Sequence, residues 1–326
     1  MNRKKAIIAI GGNSLIKAGE KGTIAEQLAN AQATAKSIID VLRAGYAVVI
    51  THGNGPQVGA ALLRSERAAD QVYELPLDVC VAATQGEIGY ILQSSLEQEL
   101  ARSGMNIPVV TMLTQVEIDP CDAAFESPTK PIGPFYSKDI ARAKEKMFGW
   151  NVVEDAARGY RRVVASPEPK TIIEKDAILQ CLEMGMLVIA LGGGGIPVIK
   201  TEGGVRGCEA VIDKDKSSSL LASEIDAELL VISTDANNVF VGYKTPSQRA
   251  LGEVTVEEMQ THFDHGEFPA GSMGPKIESG IRFIRKGGKR VIITSYDLIH
   301  DALQGNAGTQ IVPSNAHHPK EKEEHS

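Results

Sequence analysis

Three short apolar runs in this chain pass straight into glycine-rich turns. "KAIIAI" (5–10) enters Gly11-Gly12-Asn13. "YAVVI" (46–50) leads through Thr51 and His52 to Gly53-Asn54-Gly55, and "MLVIAL" (186–191) leads to Gly192 through Gly195. Glycine takes the φ > 0 conformations that tight strand-to-helix turns demand, and it lets a ligand approach bare N–H groups. Long helical patterns separate the runs. "TIAEQLANAQATAKSIIDVLRAG" opens with a capping box, Thr23 and Glu26, and stops at Gly45; a helix follows "THGNGPQVG", and another fills 77–102. This βαβα rhythm specifies an α/β fold with a parallel sheet covered on both faces, and it sends ligands to the carboxyl ends of the strands.

The rhythm breaks between 118 and 168. "DPCDAAFESPTKPIGPFYSKD" carries Pro120, Pro128, Pro131 and Pro134 and has no long apolar period, so it reads as an inserted, hairpin-rich lid subdomain. The pattern resumes with a helix at 174–184, the strand 186–191, and further strands at 209–212, 229–232, 239–241 and 290–293. A helix is expected over 274–286. Residues 315–326 ("NAHHPKEKEEHS") are polar and charged, the composition of a disordered tail.

Charge narrows the function. Across 326 residues the formal net charge is -7, which disfavours a nucleic-acid surface; an anionic ligand would need a local cluster of cations. Cys80, Cys121, Cys181 and Cys208 form no C-x-x-C pair and read as reduced thiols. No apolar run reaches the ~20 residues that span a bilayer, and the expected location is the cytoplasm. A dinucleotide fold is disfavoured too: "GNGPQVG" spaces its glycines G-x-G-x-x-x-G, and "GGGGIP" has Pro197 at the third glycine's place.

Three glycine loops on one edge of a parallel sheet suggest an anion site, yet none carries the lysine of the familiar phosphate loop. Three lysines elsewhere have unusual neighbours. Lys130 stands between Pro128 and Pro131, Lys214 follows the run "AVID", and Lys276 follows a glycine-proline turn and opens a helix. Together they suggest the dispersed cations of a phosphoryl-transfer site. Asp215 has two readings: a helix N-cap, or a carboxylate holding its neighbours Lys214 and Lys216 at a fixed separation. His52 reads as a packing residue before a catalytic base. The other histidines lack metal-ligand spacing.

Several stretches taken together resemble the amino acid kinase family and, within it, the carbamate kinases. They are "IAIGGN" (8–13), "HGNGPQVG" (52–59), "PLDVCVAATQGEIGY" (76–90), "PTKPIGPF" (128–135), "GGGGIPV" (192–198), "AVIDKDKSS" (210–218) and "GSMGPKIE" (271–278). The resemblance implies a three-layer αβα sandwich on a mainly parallel sheet, with a small inserted lid subdomain. Residues 1–210 would form the half that binds the phosphoryl acceptor, including the insertion at 118–168, and 211–314 the nucleotide half. It implies reversible transfer between ATP and carbamate, with Mg²⁺ accompanying the nucleotide, in a cytoplasmic homodimer of arginine metabolism. Lys130, Lys214, Asp215 and Lys276 would be catalytic, with Asp215 organising Lys214 and Lys276. Gly11, Gly12, Asn13, Gly53, Asn54 and Gly55 would bind the acceptor. Gly193, Gly194, Lys214, Ser233, Asp235, Tyr243, Met273, Pro275 and Lys276 would bind nucleotide, and no protein side chain is assigned to metal.

Sibling kinases carry a lysine on the first strand where this chain has Ala9; in carbamate kinases the charge comes from the insertion, through the lysine matching Lys130. Two departures stand out: Ala157 and Tyr160 replace Gly and Trp near the lid, and "STDANNV" (233–239) follows a nucleotide-side strand. The competing readings are a sibling kinase acting on another small carboxylate and a non-catalytic sensor of nucleotide or carbamoyl phosphate.

Overall fold

The computed structural model describes residues 3–11, 14–17, 19–154, 159–269 and 271–314. Gly12, Asn13, Ala157 and the expected tail at 315–326 lie outside them. The centre is an eight-stranded sheet in the spatial order 253–255, 309–312, 290–294, 229–233, 5–10, 47–52, 187–189, 109–111. Within it only the pairing of Arg290–Thr294 with Thr309–Val312 is antiparallel.

Strand alternation sorts the core into two layers. Ile7 and Ala9 point into one apolar cluster with Leu221, Ala222, Ile277 and Ile281, from helices Lys214–Glu224 and Met273–Arg285. Ala6, Ile8 and Ile10 point into the other with Ala31, Ile38, Ile88 and Ile91, from helices Ile24–Arg43 and Leu77–Arg102. A strand buried on both faces reads as a continuous apolar run, which is why "KAIIAI" shows no alternation. Helix Ile24–Arg43 starts where the capping box places it: the Thr23 hydroxyl accepts from the Glu26 N–H, and the Glu26 carboxylate accepts from the Thr23 N–H.

The two expected halves share the central sheet, joined where Lys5–Ile10 pairs with Leu229–Ser233. The insertion lies between strands Gln115–Ile118 and Pro169–Ile172. Its own antiparallel sheet comprises Lys130–Tyr136, Asn151–Glu154 and Tyr160–Val164, with helix Lys138–Phe148 between the first two. The flanking strands Gln115–Ile118 and Pro169–Ile172 belong instead to a four-stranded sheet with Ile196–Thr201 and Gly204–Gly207.

Two strand expectations are corrected. Residues 209–212 make a single bridge, Ala210 with Ala165, and are otherwise an irregular connection, exposed at Glu209 and buried from Ala210 to Ile212. The run 239–241 shrinks to Phe240–Val241 in a ribbon with Arg249–Ala250.

Candidate active site

Parallel register brings the strand ends to one edge. Ile10 sits beside His52, and Ala9 beside Ile232, so Gly11, Gly53 and Ser233 emerge together. There they border a cleft of about 930 Å³ that runs from the insertion to helix Met273–Arg285. Its charged lining is Lys130, Arg161, Lys214 and Lys276 against Asp213, Asp215 and Asp235. Helix Gly55–Arg67 also begins at the cleft, directing its N-terminal N–H groups and dipole toward it.

The glycines at 192–195 answer first to packing. Gly193, Gly194 and Gly195 all have positive φ. A Cβ on Gly193 would lie 2.3 Å from Asn54 Nδ2, and one on Gly194 would lie 2.3 Å from the Ile212 carbonyl oxygen. Side chains lock the loop: Gln85 Nε2 donates to the Gly192 carbonyl at 2.9 Å, and Ser217 Oγ donates to the Gly194 carbonyl at 2.7 Å. Asn54 is fixed in turn through its Nδ2 on Thr84 Oγ1, at 2.9 Å.

The lysines converge from three separate segments. Lys214 Nζ lies 2.8 Å from Asp215 Oδ1, and Lys276 Nζ lies 2.9 Å from Asp215 Oδ2. Burial opposes the Asp215 charge, but the two ammoniums hold its carboxyl well below the usual carboxylate range. Burial pushes the Lys214 ammonium's pKa down, with Asp215 working against the shift. Burial also works against Lys276, but Asp215, Asp213 and Asp235 keep its pKa above the ordinary lysine value. Of the two lysines flanking Asp215, only Lys214 pairs with it; Lys216 turns away to Glu168 and Glu278.

Asp215 is not the helix cap. That position belongs to Asp213, whose Oδ1 accepts from the Asp215 and Lys216 N–H groups, while Oδ2 takes Lys130 Nζ at 2.9 Å. Two aspartates two residues apart both satisfy the capping rule, so the sequence could not choose between them. Arg161, which also lines the cleft, was missed as well; its Nε donates to the Gly133 carbonyl at 3.2 Å.

Gly11, Gly53, Asn54, Gly55, Gly193, Ser233, Asp235 and Pro275 line the cleft with the lysines. Gly194 and Met273 do not: the first is pressed against Ile212 and held by Ser217, and the second packs on the core. Tyr243 also lies off the cleft lining, exposed beside Phe240. His52 is buried, its Nδ1 donates to the Gly53 carbonyl at 3.1 Å, and burial pushes its pKa down to about 4. It packs beneath the loops rather than facing the cleft.

The family model described as the amino acid kinase family matches residues 4–295. The chain belongs to that family. Within it, the likeness is to carbamate kinases. It is 48% identical over 313 residues to a carbamate kinase of Thermococcus kodakarensis, covering 95% of this chain and 99% of that one. It is 46% identical to the carbamate kinase-like protein YahI of Escherichia coli, at 95% and 99% coverage. A solved carbamate kinase from Giardia lamblia bound to AMP-PNP superposes with a TM-score of 0.90 at 41% identity, covering 95% of this chain and 98% of that one. Four cations, Lys130, Arg161, Lys214 and Lys276, line the cleft of this chain.

Proposed function

We propose that this chain is a carbamate kinase that transfers a phosphoryl group reversibly between ATP and carbamate, giving ADP and carbamoyl phosphate. One observation carries the reading. Lys130 from the insertion joins Lys214 and Lys276 in one cleft, while the first strand, where sibling kinases place a lysine, carries the buried Ala9. The full-length likeness to carbamate kinases supports it.

Phosphoryl transfer asks a protein mainly for alignment and neutralised charge. A carbamate oxygen attacks the γ-phosphorus, the bond from that phosphorus to the β–γ bridging oxygen breaks, and ADP leaves. Carbamate is already an anionic oxygen nucleophile, so no general base is needed, which agrees with a neutral, buried His52. Lys214 and Lys276, spaced by Asp215, would meet the nucleotide phosphates and the transferring group. Lys130 would meet that group from the acceptor side, with Gly11, Gly53, Asn54 and Gly55 around the acceptor. Ser233, Asp235, Gly193 and Pro275 would contact the nucleotide.

Mg²⁺ would arrive with the nucleotide and shield its phosphate oxygens. The sparse donor set fits such an ion: Asp235 and Ser233 bring oxygen to the cleft, while the Asp213 and Asp215 carboxylates are engaged by lysines. Mg²⁺ keeps most of its waters and takes few protein ligands.

The same reading takes the enzyme to be a cytoplasmic homodimer making ATP from carbamoyl phosphate in arginine catabolism. Family likeness supports this, and no described helix is long and apolar enough to cross a membrane. The test is ATP formation from ADP and carbamoyl phosphate with Mg²⁺. Production well above the uncatalysed background is expected, and its absence would overturn the reading.

A further inference from the structure

We propose that Asp213 is a positioning residue for Lys130, tethering its ammonium inside the cleft before substrate arrives. The inference rests on the phosphotransferase reading above.

Lys130 opens the strand Lys130–Tyr136 of the insertion, and its backbone is held by pairing with Val164. That fixes the root of the side chain and leaves a flexible four-carbon stem to place the charge. The side chain is 38% exposed, enough to swing into solvent if nothing holds it. Asp215 does not hold it, because its two oxygens go to Lys214 and Lys276.

Asp213 supplies the anchor from the opposite wall. Its own position is set by the cap: Oδ1 accepts from two N–H groups at the start of helix Lys214–Glu224, in extended backbone with φ −71° and ψ 125°. That leaves Oδ2 aimed at Lys130, at 2.9 Å. A carboxylate lining a phosphoryl site would ordinarily repel the ligand. Here one oxygen is spent on the helix and the other on the lysine, so the charge orders a cation at the site. Two carboxylates two residues apart thus divide three lysines, and Asp213 spans the joint between insertion and body.

The test is Asp213→Asn. Asparagine caps a helix as well as aspartate does, so a role confined to capping leaves turnover at the wild-type value. The tether instead predicts that kcat falls about tenfold, within the loss expected for a misplaced reacting-site group, while KM for ADP stays within about twofold. The loss should also depend on Lys130: in a Lys130→Met background, adding Asp213→Asn should change kcat by less than about twofold. Wild-type kcat in the single variant, or a full additional loss in that background, overturns the proposal. A second readout needs no catalysis. Labelling by an amine-reactive reagent, followed by mass spectrometry, should rise roughly two- to fivefold at Lys130 relative to Lys200 when the half-exposed pair is lost. An unchanged ratio overturns the tether even if the wild-type chain makes no ATP, whereas a raised ratio in an inactive chain would overturn only the kinase reading.

Discussion

Gly59 and Gly133 meet without side chains at the joint between the insertion and the body. A Cβ on Gly59 would lie 3.0 Å from Gly133 Cα and 3.2 Å from its nitrogen, and Gly133 itself has a φ of +72°. Gly59 stands in helix Gly55–Arg67, Gly133 in the strand that begins with Lys130. The third glycine of "GNGPQVG", out of register for a dinucleotide loop, is there so that the lid can approach.

Gly59→Ala should therefore force that strand outward. Overpacking of this kind costs about 1–3 kcal/mol, and the displaced Lys130 should lower kcat as well. Thermal unfolding and turnover measured on one preparation check both effects. A variant matching wild type in both would show that the joint tolerates the methyl group.

Removing the insertion's cation should act on chemistry with little effect on nucleotide binding. Lys130→Ala is expected to lower turnover by roughly 10²–10³-fold, the scale for losing one preorganised charge donor. ADP affinity measured by calorimetry should stay close to wild type. Turnover near wild type would remove Lys130 from the mechanism.

The Lys214–Asp215 pair predicts how activity ends at high pH. Burial lowers the Lys214 pKa, so its ammonium loses its proton below the ordinary lysine value as pH rises. The alkaline limb of kcat/KM, which reports the free enzyme, should therefore fall earlier than an exposed lysine would allow. Asp215→Asn removes the group that opposes the shift and should move the limb to still lower pH. A limb that stays in place, or moves upward, would contradict this assignment.

His52 makes a separate prediction, about stability. Its pKa is about 4 folded, against an ordinary 6.5. Between those values the unfolded chain binds the extra proton, so folding stability is complete above pH 6.5 and is lost as pH falls toward 4. The slope from this residue is about 1.4 kcal/mol per pH unit. Urea unfolding from pH 7 to 4.5 should show it in the wild type and a flatter dependence in His52→Gln. Parallel curves would mean that the imidazole is charged where it is buried.

Where local chemistry and tertiary context agree, the sequence is readable. Helix Leu77–Arg102 and the capping box at Thr23 stand where the pattern places them, since caps and long periods are local. Apolar content, however, reports burial and not pairing: Val211 and Ile212 are buried, yet 209–212 is no strand. The hairpin Ile196–Thr201 and Gly204–Gly207 leaves little apolar alternation in the sequence because its second strand and the end of its first are largely exposed. In the cleft, Lys130, Lys214 and Lys276 were legible from their proline, glycine and strand-end neighbours. The pairing of Asp213 with Lys130 was not, because the two lie 83 positions apart and a capping signal says nothing of a distant partner. Tyr243 and Met273 entered through family likeness, and the structure sets both off the cleft lining.

Ala9 has a wider consequence. With Ala6, Ile7, Ile8 and Ile10 it forms a stretch fully shielded from water and free of ionisable groups at the middle of the sheet. The scaffold's cohesion is thereby insulated from ionic strength, because the charges of the cleft stand on side chains beyond the strand ends. Evolution can retune the electrostatics of such an enzyme at those positions, with the sheet as an inert chassis.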